Sequence, residues 1–427
     1  MVKAAKVVII GGGFGGLNAA KGLGKKVPEV VIVDKTNHHL FQPLLYQVAS
    51  AALSPGQIAA PIREAVAKQK NAVVIMGEVL KIEKGARLLH MANGDRIKYD
   101  YLVVAPGARH SYFGHDEWEG LAPGIKTLND ALSIRERILQ SFEKAERSDS
   151  ISEAEKYLNF VVIGAGPTGV EMAGAIAEIA YKTMIRNFRR INTEKTKIFL
   201  VEGAPQVLPT YPKKLGDHAK RDLEKMGVQV LTETMVTNIT CEGVQLGEHF
   251  IPATNVIWAA GNQASPLLKS LDVPLDKQGR VMVNPDLSIP GHPEIFVIGD
   301  AAHAKGVDGK PLPGIAPTAI QQGKYVAKII KNRTPPDKRP PFRYLDKGMM
   351  ATIGTNKAVA MIGHWHMTGY LAWLAWGFIH ILYLIGFRNR ALVMIGWVFQ
   401  YFTGQRGARL IRGTLDEDDT RPPCGAA

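Results

Sequence analysis

The chain has 427 residues, 46% of them hydrophobic, with 43 glycines, 25 prolines and two cysteines. That is enough apolar sequence to bury more than one core, and it excludes a disordered chain and a small disulfide-framed scaffold. The formal net charge of +13 suits an anionic membrane surface. Nucleic acid is excluded as a partner, because the basic residues are scattered and no nucleic-acid motif accompanies them.

The first apolar run, Val7-Val8-Ile9-Ile10, leads into Gly11-Gly12-Gly13-Phe14-Gly15-Gly16, and the next, Val30-Val31-Ile32-Val33, ends in Asp34. This order predicts a buried strand, a tight turn at Gly11 and a helix beginning near Gly13. Gly13 leaves room for a pyrophosphate, Gly16 lets helix and strand pack closely, and Asp34 accepts from a ribose hydroxyl. A second copy reads Val161-Val162-Ile163-Gly164-Ala165-Gly166-Pro167-Thr168-Gly169, with Glu202 closing Ile198-Phe199-Leu200-Val201. The long interval from Gly169 to Glu202 predicts a helix rich in Ala and Ile from Val170 to about Arg190. Two fingerprints imply two dinucleotides, and two dinucleotides in one chain usually exchange a hydride. Glu202, with no Arg in Gly203-Ala204-Pro205-Gln206, favours a 2'-hydroxyl over a 2'-phosphate, and so NADH over NADPH.

Between the fingerprints, Tyr101-Leu102-Val103-Val104-Ala105-Pro106-Gly107-Ala108 reads as a strand running into a turn, and the charged stretch 133–156 as a helical bridge. After the second come Val256-Ile257-Trp258-Ala259-Ala260-Gly261 and Ile295-Phe296-Val297-Ile298-Gly299-Asp300-Ala301-Ala302. These segments resemble the crossing turns and the flavin-closing motif of the two-dinucleotide flavoproteins, with Pro106 and Ala260 where Thr is usual. That resemblance assigns FAD to the first fingerprint and a nicotinamide nucleotide to the second. Cys241 and Cys424 lie far apart with no Cys-x-x-Cys pair, so the flavin is expected to pass its electrons to a bound or diffusing acceptor rather than to a dithiol.

The proline-rich run 333–341 reads as a stiff linker. Beyond it, residues 370–387 carry no charge and include three aromatic residue types. Arg388 and Arg390 follow, then a second apolar run over 391–402, then Arg406, Arg409 and Arg412. No acidic residue falls between Lys347 and Leu415. Such segments suit helices lying in, or partly inserted into, an anionic interface. A true membrane span and a soluble dimer interface are the alternatives. No signal-like stretch precedes the first strand, so the nucleotide domains are expected in the cytoplasm.

The chain resembles the type II NADH dehydrogenases, single-subunit NADH:quinone oxidoreductases that pump no protons. The likeness rests on His38-His39-Leu40-Phe41-Gln42-Pro43-Leu44-Leu45-Tyr46-Gln47-Val48-Ala49, on Pro167-Thr168-Gly169-Val170-Glu171, on Asp346-Lys347-Gly348-Met349-Met350-Ala351-Thr352-Ile353-Gly354, and on the Trp-rich tail ending Arg406-Gly407-Ala408-Arg409-Leu410. It implies an α/β fold of two Rossmann-like dinucleotide-binding domains plus a C-terminal membrane-associating helical segment. The expected domains are a split FAD domain (1–115 and 283–338), an NADH domain (116–282), a membrane-anchoring and quinone-site segment (339–413) and a disordered tail (414–427). The resemblance further implies non-covalent FAD, NADH as co-substrate and a quinone (ubiquinone or menaquinone) as acceptor. It places a homodimer on anionic lipid, peripheral to the cytoplasmic face of the inner membrane.

Carried onto this sequence, the FAD residues are Gly11, Gly13, Phe14, Gly16, Asp34, Lys35, Gln42, Pro43, Val79, Ala105, Gly107, Gly299, Asp300, Ala316 and Gln321. The NADH residues are Gly164, Gly166, Pro167, Thr168, Gly169, Glu171, Glu202, Ala260 and Gly261. Ala319, Ile320, Gln321 and Lys347 are expected at the quinone, and Glu171, Lys347 and Gln321 in the chemistry. The family's Ala-Gln-x-Ala-x-Gln motif falls on Ala316-Pro317-Thr318-Ala319-Ile320-Gln321, with Pro317 replacing the first glutamine. The plainer reading there is a helix start preorganised by Pro317, with Gln322 and Gly323 facing solvent. Glu171 reads equally as an acid favoured by a helix N-terminus, and Lys347 as a solvated lysine. His38 and His39 are expected to be structural, and no metal cluster is expected. Two rival functions are an NADH-dependent reductase of a protein acceptor such as ferredoxin and a redox sensor of the apoptosis-inducing-factor type.

Overall fold

The computed structural model describes residues 5–411 and Leu415. Arg412, Cys424 and, Leu415 apart, the segment 414–427 lie outside the described residues. The chain divides into two compact units. The first holds the residues up to Leu40 with Ala59–Arg109 and Asn262–Lys347; the second holds Phe41–Ile58, His110–Gly261 and the residues from Gly348 onward.

In the first unit a six-stranded sheet runs in the order Ser288–Ile289, His292–Val297, Tyr101–Val104, Lys6–Ile10, Glu29–Asp34, Ala72–Met76. The last five are mutually parallel. The strand Lys6–Ile10 is a run of β-branched residues because a central parallel strand is covered on both faces: Val7, Val8 and Ile9 are fully buried. A three-stranded antiparallel sheet, Val79–Glu83, Leu88–Met91 and Arg96–Lys98, packs on the same core through Ile82 and Leu89.

The second unit repeats the plan. Its parallel sheet runs Val228–Leu231, Lys197–Val201, Asn159–Ile163, Asn255–Trp258. The fingerprint strand is flanked by the acid-bearing strand on one side and the crossing-turn strand on the other, as in the first unit. A three-stranded antiparallel sheet, Met349–Gly354, Lys357–Ile362 and Trp365–Thr368, precedes two helices, Gly369–Tyr383 and Phe387–Thr403. Gly386, with φ +87°, breaks the apolar sequence between them. No helix among the described residues is long and apolar enough to cross a membrane.

Four expectations need correction. The helix after the second fingerprint covers only Pro167–Glu178 and closes in a π-helical turn, Ile179–Thr183, well short of Arg190. The run 333–341 is no free spacer: Arg339 binds Asp286 at 2.9 Å and lies 5.1 Å from the centre of the Phe296 ring, which straps the segment onto the first unit. Cys241, which the sequence reads as a buried or strand-edge thiol, is not a free thiol. Arg406, expected among the cations of a lipid interface, is 3% exposed and ion-paired inside the second unit.

Candidate active site

Each fingerprint is built from the same three roles for glycine. Gly11 and Gly164 both adopt φ +97°, and a Cβ on either would strike the crossing turn, 2.1 Å from the Ala105 carbonyl oxygen or 2.8 Å from Ala260 Cα. A Cβ on Gly16 or Gly169 would fall 1.8 Å from the carbonyl oxygen of Gly11 or Gly164. Around Gly13 and Gly166 there is nothing within 4 Å of the position a Cβ would take. The first two roles close the turn, and the third leaves a cradle open at the helix N-terminus, where backbone N–H groups favour an anion.

The acids are equally matched. Asp34 Oδ2 accepts from the Gly12 N–H at 2.6 Å, and Glu202 Oε2 accepts from the Ala165 N–H at 2.6 Å. Each carboxylate is thereby tied to the turn it serves, with further acceptor capacity on its outer lone pairs. The crossing turns also coincide: the Ala105 N–H donates to Ile10 and the Ala259 N–H to Ile163, both at 2.8 Å, and Gly107 and Gly261 follow with φ +72° and +70°. Pro106 and Ala260 fit because neither position needs a side chain beyond the turn.

Several other expected residues cluster at the first cradle. Phe14 meets His39 edge to face at 4.9 Å, and His39 Nδ1 lies 3.0 Å from the Gly12 carbonyl oxygen. Burial lowers the His39 pKa, so the neutral ring braces the turn. Gly299 and Asp300 form a turn directly after the strand His292–Val297, opposite the helix Ala316–Lys331, where Asp300 Oδ1 would lie 3.2 Å from a Cβ on Gly314. Ala319 is buried and Ile320 half-buried on that helix. Lys35 is exposed and paired with Glu78 at 2.6 Å, and Val79 turns its side chain into the core. Lys347 is exposed at the end of the first unit. In the second unit, Pro167 and Thr168 are exposed at the second cradle, and Gln42 Nε2 donates to the Lys126 carbonyl at 3.0 Å beside half-buried Pro43.

The solvent-facing reading of Gln322 needs correction, while Gln321 beside it is held by the backbone. Both ends of the Gln321 carboxamide bond the backbone of Leu345, each at 2.9 Å. Gln322, expected in solvent, is 1% exposed, and its Oε1 accepts from the Gly299 N–H at 2.6 Å. Gly323 is likewise buried, where a Cβ would fall 2.3 Å from the Gly15 carbonyl oxygen. Gln322 therefore holds the Gly-Asp turn. The signal for it was the helix face it shares with Ala319 and Val326, buried at i−3 and i+4.

Within the second unit lies a cavity of about 400 Å³. The tail helices supply an aromatic wall, including Trp373, Trp376, Trp397 and Tyr401. Tyr46, Gln47, Glu171, Glu178, Thr352 and Arg406 supply polar groups. Glu171 is reached by solvent only in part, and burial drives its pKa well above the usual carboxylate range, although the Thr352 N–H donates to it. Burial would also raise Glu178, but Arg406, 3.0 Å away, and Thr355 hold that carboxyl below its ordinary value. One wall thus carries a carboxyl whose pKa is raised and one whose pKa is lowered, about two turns apart on one helix. Among the described residues there is no cluster that could hold a metal ion.

Two cradles with matching acids, the first beside a Gly-Asp turn, define a flavoprotein of the two-dinucleotide class. Residues 5–323 match the pyridine nucleotide-disulphide oxidoreductase family model and residues 347–406 the NDH2 C-terminal domain model. The type II NADH:quinone oxidoreductase NdhA of Mycobacterium tuberculosis is 45% identical over 96% of this chain and 90% of its own. The type II NADH:quinone oxidoreductase of Staphylococcus haemolyticus is 30% identical over 85% of this chain and 91% of its own. The NDH2 structure from Plasmodium falciparum in complex with NADH superposes with a TM-score of 0.87 at 22% identity, covering 95% of this chain and 99% of that one. The chain belongs to the type II NADH:quinone oxidoreductase family.

Proposed function

We infer that this chain binds FAD without a covalent link, oxidises NADH and reduces a quinone, with the balance NADH + H⁺ + quinone → NAD⁺ + quinol. The first cradle, with Gly13, Asp34, Gly299 and Asp300, would hold FAD; the second, with Gly166 and Glu202, would hold NADH. FAD, when bound, accepts a hydride and releases electrons singly or in pairs. Glu202 accepts from the ribose hydroxyls of NADH and repels a 2'-phosphate.

The observation that carries the quinone reading is the cavity in the second unit. Its aromatic wall suits a ring-shaped apolar ligand, and its volume suits a quinone head group. Glu171, kept protonated by burial, supplies a proton to the reduced ring. Many large apolar side chains of the tail helices stand exposed, among them Leu371, Phe378, Phe387 and Phe402. We place these in a membrane interface, the reservoir of the quinone, on the cytoplasmic face where NADH is supplied.

The test is NADH oxidation by the purified yellow protein with a short-chain quinone as the only acceptor. Fast turnover, much weaker with NADPH, is expected. A flavin that NADH bleaches and quinone fails to restore would overturn the acceptor assignment.

A further inference from the structure

Trp397, on the second tail helix, donates its indole N–H to Gln47 Oε1 at 2.7 Å, and Gln47 Nε2 donates to Tyr46 Oη at 2.9 Å. An indole N–H can only donate. It therefore settles which end of the Gln47 carboxamide faces which neighbour: the oxygen faces Trp397, so the NH₂ faces Tyr46. The Tyr46 oxygen must accept, and its own hydrogen is left for another acceptor. Among the described residues, the bond from Gln47 is the hydrogen bond made by that oxygen. Tyr46 and Gln47 are each 8% exposed, and both line the cavity. The backbone below them is fixed as well, because the Gln47 carbonyl accepts from the N–H groups of Ala52 and Leu53 at 2.8 and 3.0 Å.

We propose that the Tyr46 hydroxyl donates a hydrogen bond to a carbonyl oxygen of the quinone in this cavity, and that Gln47 and Trp397 are positioning residues that aim it. The proposal rests on the quinone reading of the cavity. As electrons arrive, negative charge develops on the quinone oxygens, and a donor held in place beforehand stabilises that charge without reorganising. Burial keeps the hydroxyl protonated, so Tyr46 donates a hydrogen bond while Glu171 gives up the proton. The arrangement also ties the site to the tail. Trp397 sits beside exposed Val398 and Phe399, so the helix that meets the membrane also orients the donor.

The experiment uses the full-length, FAD-loaded protein in stopped flow, with NADH bleaching and reoxidation by a short-chain quinone followed separately. Tyr46→Phe should leave bleaching unchanged and slow reoxidation on the order of 100-fold. Trp397→Phe, which keeps an aromatic ring in the cavity wall, should slow the same step several-fold, and the double variant should be no slower than Tyr46→Phe alone, since the lost indole N–H acts through Gln47 on Tyr46. A merely structural role would give multiplying effects. Reoxidation of Tyr46→Phe at the unaltered rate, or effects that multiply, would overturn the proposal. Should Tyr46→Phe fail to retain flavin, the test rests on Trp397→Phe in combination with Gln47→Leu, which should likewise not multiply. A photoreactive quinone distinguishes failure of the underlying reading: labelling confined to peptides outside the cavity wall removes the quinone site itself, whatever the kinetics of Tyr46→Phe.

Discussion

Arg406 Nη2 lies 3.0 Å from Glu178 Oε2, and Nη1 of the same guanidinium binds the Ser50 carbonyl at 2.7 Å, all of it buried. The chain just beyond the second tail helix is thus fastened to the helix of the second fingerprint. Removing one partner leaves the other charge buried, so Arg406→Ala should destabilise the protein by about 3–5 kcal/mol, whereas replacing both by apolar residues should be far milder. Denaturant titration of the single and double variants checks this. The pair also has a pH signature. The Glu178 pKa is lowered in the fold, so its stabilisation is complete above the unfolded value near 4.3 and is lost as pH falls through the lowered one.

Glu171 has the opposite sign. Its folded pKa is raised, so folding favours the protonated form, and stability declines as pH rises from the unfolded range toward the raised value. Glu171→Gln should therefore be more stable than the parent at neutral pH. It should also slow quinone reduction while sparing NADH oxidation by a soluble dye. In the parent, quinone reduction should fall as pH rises through the raised value. A flat profile over that range would separate Glu171 from proton supply.

The three glycine roles predict a split between neighbours. Gly16→Ala puts a methyl 1.8 Å from the Gly11 carbonyl oxygen and should prevent the first unit from folding. Gly13→Ala meets nothing within 4 Å, so the protein should fold with near-parent thermal stability and lose FAD affinity. Flavin content against melting temperature distinguishes them.

The exposed apolar side chains of the tail should be separable from its structural role. Replacing Leu371, Phe378, Phe387 and Phe402 by Ser should reduce binding to anionic vesicles while dye-linked NADH oxidation persists. Deleting residues 364–413 should do more, because it also removes Arg406 from Glu178 and Trp397 from Gln47. Loss of dye activity in the deletion but not in the quadruple variant is the expected result.

Local sequence was sufficient wherever the physics is local. Each fingerprint, with its glycines and closing acid, is a strand–turn–helix whose geometry is set within a few tens of residues, and Gly11, Gly16, Gly164 and Gly169 sit where steric exclusion requires them. Composition also marked two apolar segments, but it put the break at Arg388 and Arg390, whereas the chain turns at Gly386 and those arginines lie in the first turn of the second helix. What the sequence could not decide was which distant residues meet. Arg406 looked like an interfacial cation because its partner lies 228 positions away, and Gln322 looked exposed because only the packed helix shows which of two adjacent glutamines turns inward. The cavity is of the same kind: residues 46–47, 171–178, 352–355 and 373–406 share it. Local chain stereochemistry determined the two nucleotide cradles, but long-range burial, which sets both contact and pKa, decided the cavity in which we propose that the quinone binds.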